Sequence, residues 1–188
     1  MKQLLATYFL YVEDSAAGIR RLLERRSFRQ ACVGYFAAAL SWVLFFNIGD
    51  HLSLFALLFK LLVVFVAEVT AGYFVAALCG LFLDLRRVKV SSAQLFVLVG
   101  SAGFLNALLI ACALISAAFA QAHLGILMPL VVLGLWVLKL IYLVCGLQLA
   151  WNLNVGDAVC AWLFGLVPVC TAFSLVGIFF IWFLVILF

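Results

Sequence analysis

Apolar positions fill this chain in five long runs, about 30–48, 52–83, 93–120, 124–150 and 157–188, separated only by short polar stretches. A helix that crosses a bilayer takes about 20 mostly apolar residues, and every run supplies that many or nearly so. The pattern therefore predicts an all-α fold, a polytopic transmembrane bundle of five spans. The second and fifth runs exceed a perpendicular crossing, so they must tilt, protrude or bend. Pro168, three residues after Gly165, predicts a kink in the fifth. Short connections make consecutive spans antiparallel neighbours. Ser27-Phe28-Arg29-Gln30 and Ser91-Ser92-Ala93-Gln94 fit the Ser-x-x-Gln capping box just ahead of spans one and three.

One segment has a different rhythm. In Glu13 to Gln30, "EDSAAGIRRLLERRSFRQ", a helical wheel places Ala16, Leu22 and Leu23 within about 60° of Ile19. Arg20, Arg21, Glu24, Arg25 and Arg29 take the other side. This is a short basic amphipathic helix ending near Arg26. Such a helix lies in the membrane interface, aliphatic residues in the acyl boundary and arginines among anionic headgroups. The chain thus divides into a cytoplasmic N-terminal segment, 1–29, and a five-helix membrane domain, 30–188.

Composition excludes a soluble globular protein. Seventy per cent of the 188 residues are hydrophobic and 10% are charged, with a mean hydropathy of +1.38; a folded surface in water could not be built from so few charges. Their placement also orients the chain. Lys2, Arg20, Arg21, Arg25, Arg26 and Arg29 precede span one, and Arg86, Arg87 and Lys89 follow span two. The loops at Asp50-His51 and Gln121-Ala122-His123 carry no lysine or arginine. Positive loops stay inside, so the N-terminus is expected in the cytoplasm. "LLATYFLYV" lacks a small-residue cleavage site and is not read as a signal peptide. The basic residues belong to a membrane surface, and no nucleic-acid partner is expected. All six cysteines lie within or at the ends of apolar runs, with no Cys-x-x-Cys, and are read as packing residues.

The opening "EDSAAGIRRLLERRSFRQACVGYFAAAL" resembles that of bacterial members of the Yip-domain family, five-span proteins whose eukaryotic relatives interact with Rab-type GTPases. The likeness continues in "AGYFVAALCGLFLDL", "SSAQLFVLVGSAGF" and "LGLWVLKLIYLVCGLQLAWNL". In that family a short helix with an aliphatic anchor, here Ile19, leads through a basic–aromatic–basic step, here Arg26, Phe28 and Arg29, into span one. The short Asp-Leu-Tyr-Gly-Pro-like motif of the eukaryotic trafficking members is absent, so Rab binding is not carried over. The resemblance implies the fold, a bacterial cytoplasmic membrane location and a non-enzymatic role. Its expected partners are membrane lipids, with anionic headgroups at the N-terminal helix, and a membrane protein or a second copy.

The polar candidates inside the spans are Lys60 and Glu68 in the second, Asn106 in the third and Lys139 in the fourth. Buried charge is costly in lipid and marks a functional candidate. Glu68 and Lys139 fall at one depth when helical rise is counted along parallel spans. Glu68 shares a stripe with Gly72, Ala76 and Gly80, and Lys139 a face with Tyr142, Gly146 and Ala150. Both charges are thus expected at packing seams, where they would neutralise each other. Lys60, nearer the outer face, can snorkel. Asn106 is expected to hydrogen-bond between helices.

No nucleophile–base pair, metal-ligand spacing or cofactor motif emerges. "GSAGF" does not match an intramembrane serine protease, and His51, Asp50 and His123 are read as solvated loop residues. The favoured reading is a non-enzymatic membrane protein acting through partners or membrane organisation. The alternative is a small transporter or channel using Glu68, Lys139 and Asn106.

Overall fold

The computed structural model describes residues 17–19, 28–47, 53–118 and 128–187. Five spans are present, as the apolar runs predict. They comprise α1 (Phe28–Asn47), α2 (Leu54–Leu85), the third span, α5 (Met128–Trp151) and α6 (Val155–Leu187). The third span is divided into α3 (Ser92–Ala102), a 3₁₀ turn (Gly103–Asn106) and α4 (Ala107–Ala118). Among the described residues there is no strand. Both long helices are continuous: α2 has 32 residues, and α6 runs for 33 residues through Pro168. Proline removes the donor for the Phe164 carbonyl, and one turn on the Thr171 hydroxyl donates to the Val167 carbonyl at 2.8 Å.

The membrane face that carries Arg86, Arg87 and Lys89 is the better built end, and we refer to it as the basic face. There α2 stops in a Schellman turn: Val88 N–H donates to the Leu83 carbonyl and Arg87 N–H to the Asp84 carbonyl, each at 2.9 Å. Arg87 holds the left-handed position of that turn, φ 62°, where glycine is usual. The chain re-enters at Ser91, whose backbone is extended as a cap requires but whose side chain makes no capping bond, so the serine bond of the expected box is not made. Ser27 lies outside the described residues. A side-chain cap that the sequence reading missed is Ser53, which accepts from Ala56 N–H at the start of α2. At the α5–α6 turn Asn154 caps Asp157 N–H at 2.7 Å and donates to its carboxylate at 2.9 Å. Arg86 reaches the same carboxylate at 3.6 Å, joining the two turns.

The core sits in the half of the bundle next to the basic face. Val75, Ala76, Cys79 and Leu83 of α2 meet Leu95 and Leu98 of α3, Leu143 and Leu147 of α5, and Ala158, Ala161 and Trp162 of α6. Cys79 packs as a small hydrophobe and donates through Sγ to the Ala161 carbonyl at 3.1 Å. Ile19 is also part of this cluster, only 2% exposed. The Ala17–Ile19 stretch is helical, but its aliphatic anchor is buried among the spans and not in the acyl boundary, which corrects the interfacial placement of that residue. Arg20, Arg21, Arg25 and Arg26 lie outside the described residues; Arg29, in the first turn of α1, is exposed.

Glycine decides how closely the helices approach. A methyl group on Gly34 would strike the Gly100 carbonyl, and one on Gly103 the Gly34 carbonyl, so α1 crosses the third span backbone to backbone. The same holds at Gly72, filled by the Tyr35 ring, and at Gly146, filled by Leu98. In lipid, association rests on such close van der Waals contact. Gly177 of α6, by contrast, meets nothing within 4 Å. We expect Gly34→Ala to destabilise the detergent-solubilised protein by about 1–3 kcal/mol through overpacking. Gly177→Ala should be neutral or stabilising by up to about 1 kcal/mol through helix propensity. Thermal unfolding of the two variants beside the parent checks both; equal shifts would refute the assigned crossing.

Candidate functional site: a polar layer inside the membrane

The polar residues of the spans lie at related depths because the helices are in register at the basic face. A side chain at Gly80 would meet Ser92, which aligns the end region of α2 with the start of α3. Glu68 lies twelve residues before Gly80, Phe104 twelve after Ser92 and Lys139 twelve before Trp151. At about 1.5 Å of rise per residue, these share a layer some 18 Å in. The 3₁₀ break in the third span lies in this layer.

Glu68 and Lys139 are both half-buried. The two form no ion pair; among the described residues the ion pair is Arg86 with Asp157. The expected contact is not made. Equal depth was legible from helical rise; whether two side chains meet also depends on how each helix is rotated, which residue counting does not give. Tyr35 of α1 donates its hydroxyl to the Phe96 carbonyl at 3.2 Å.

One turn beyond Lys139, Tyr142 shares a 3.0 Å hydrogen bond with Ser101, whose hydroxyl lies 2.7 Å from the Leu98 carbonyl. This link between α3 and α5 was missed in the sequence, although Tyr142 had been placed on the Lys139 face; no motif marks Ser101 as its partner. The Gly72–Ala76–Gly80 stripe does face a seam. Gly72 and Gly80 are filled from α1 and α3, and Ala76 is 1% exposed.

Asn106 closes the 3₁₀ turn. It is 1% exposed, yet neither its amide nitrogen nor its amide oxygen has a hydrogen-bond partner. The interhelical bond expected of it is not made. Its burial follows from the close packing of the 3₁₀ turn on α1, where Gly103 abuts Gly34 and Ala38. Lys60 stands apart from this layer, exposed near the other face, with its ammonium donating to Asn47 Oδ1 at 2.6 Å. His51, Asp50 and His123 lie outside the described residues.

Together these features define the class: a polytopic α-helical integral membrane protein with a sparse polar layer within its bundle. Comparison goes no further, as no protein-family model, curated protein or solved structure matches the chain.

The geometry sets a quantitative expectation for the two charges. A directly paired, buried salt bridge broken from one side costs about 3–5 kcal/mol, much of it recovered when both partners are removed. Separated charges should couple less, by about 0.5–1.5 kcal/mol. Glu68→Leu, Lys139→Leu and the double variant, unfolded thermally in one detergent beside the parent, give that coupling. A value above 3 kcal/mol would mean direct pairing; strict additivity would mean that neither charge affects the other.

Proposed function

We propose that this chain is a non-enzymatic membrane protein of the bacterial cytoplasmic membrane that acts by lateral association, with a membrane-protein partner or a second copy. The likeness to the Yip-domain family stays part of this reading, and the asymmetry of lysine and arginine between the loops gives it a cytoplasmic N-terminus. The observation that carries it is the uneven finish of the bundle. The first half of α6 is core, with Ala158, Ala161, Trp162 and Val169 buried. Past Cys170, nine consecutive residues, Thr171–Phe179, are exposed. Nine residues make two and a half turns, so the helix is bare on every side. The first turns of α2 and α5 are similarly uncovered, with Phe55, Leu58, Leu130 and Leu133 all more than half exposed. Three apolar helix segments thus stand ready for contacts made within the membrane.

Chemical cross-linking in native membranes followed by co-purification in mild detergent tests this. The expected result is a reproducible adduct, with a second copy or one other membrane protein, through cysteine placed at Leu175 or Val176. No adduct from either position would defeat the proposal. Orientation is tested separately in a background without the six native cysteines: cysteine replacing Lys89 should react only from the cytoplasmic side. Labelling from outside would overturn the positive-inside assignment.

A second reading is favoured by the polar layer itself. Glu68 and Lys139 are held apart next to a broken span and an unpartnered Asn106, an arrangement suited to passing a solute or proton. Purified protein in liposomes that moves ions or protons, and loses this on Glu68→Gln, would place transport first.

A further inference from the structure

Toward the face opposite the basic one, α1 and α2 leave between them an apolar groove of about 350 Å³. Its walls include Trp42 and Phe46 of α1 and Phe59 and Val63 of α2, while Asn47 and Lys60 line it at the end of α1. The volume falls within the range of about 300–1,000 Å³ common to ligand sites. Trp42 and Phe46 stack on each other, ring centroids 5.7 Å apart and planes at 13°.

Among the described residues that line it, the groove has one charge, that of Lys60, and it is held in place. Asn47 donates through Nδ2 to the Val43 carbonyl at 2.7 Å, which orients its Oδ1 to accept from Lys60 Nζ at 2.6 Å. An ammonium has three N–H donors, so two remain for another acceptor. Among the described residues no carboxylate forms an ion pair with Lys60. Depth agrees with a headgroup position. The 32 residues of α2 span about 48 Å against a hydrocarbon core of about 30 Å, leaving about 9 Å at each end if centred. Lys60, six residues after Leu54, falls at that boundary.

We infer that this groove binds an anionic phospholipid from the leaflet on its own face. The acyl chain lies against the Trp42–Phe46 stack and Phe59, and a phosphate oxygen accepts from the Lys60 ammonium. Charge complementarity selects this occupant. An apolar wall alone would accept any acyl chain, whereas a cation at headgroup depth favours a lipid of net negative charge over a zwitterionic one. Asn47 is a positioning residue in this site.

Trp42 provides the readout. The full-length protein is placed in bilayers containing a small fraction of either phosphatidylglycerol or phosphatidylcholine with brominated chains. Quenching of Trp42 is taken as the difference between the parent and Trp42→Phe. In the parent the anionic lipid should quench at a mole fraction about fivefold lower than the zwitterionic one, the preference expected of one cation near a membrane surface. Lys60→Arg should keep the preference, and Lys60→Gln should reduce it to parity. Equal quenching by the two lipids in the parent would overturn the inference, as would a preference that survives in Lys60→Gln. Absence of quenching by either would mean that protein, such as a second copy, covers the groove, and would overturn it too.

Discussion

The backbone crossing of α1 over the third span is the contact on which the rest of the bundle depends. Water drives apolar side chains together in a soluble core, but lipid is as apolar as leucine and provides no such drive. What remains is close packing, and here it is achieved by Gly34 fitting against Gly100 and Gly103. That approach places Tyr35 in the space over Gly72, so α2 is positioned from the same contact. It also brings the 3₁₀ turn against α1 and encloses Asn106. An unpartnered amide in such a place carries a desolvation cost. Its location at an interruption of regular helix associates that cost with the one span that is not continuous.

The architecture was legible in the sequence to a degree uncommon for shorter apolar patterns, because a span leaves a run of about 20 residues that little else imitates. Each expected boundary lies close to a helix end, and the small-residue stripe on α2 was visible from its spacing. Rotational detail was not. Glu68 and Lys139 share a depth without forming an ion pair, and Ser101 meets Tyr142 across two helices without a local signal in either. The break at Gly103–Asn106 was equally hidden: "GSAGFLN" scores as continuous helix on hydropathy, and only the approach of α1 makes a tighter turn useful there. Ile19 shows the converse. An amphipathic stripe states that one side seeks an apolar environment, and both lipid and a protein groove satisfy that demand.

The bundle is packed at one face and open at the other. Near Arg86 and Asp157 two turns are capped and joined, and the aliphatic cluster fills the space between helices. Toward the other face α1 still packs on α4 and bonds to α2 through Asn47 and Lys60, but the second half of α6 is bare, the start of α2 is uncovered and a groove opens beside Lys60. Such a division assigns stability to one leaflet and interaction to the other.

Burial of Ile19 has a consequence for biosynthesis. This residue precedes every span in the chain, yet it belongs to the same cluster as Trp162 of the last one. Between them lie 143 residues of synthesis, which at about 5–20 residues per second take roughly 7–30 s. Ile19 therefore cannot complete its packing until the helix that carries Trp162 has been delivered. Ile19 is thus among the last of the core residues to settle, and anything that occupied it during that interval would act on an immature protein.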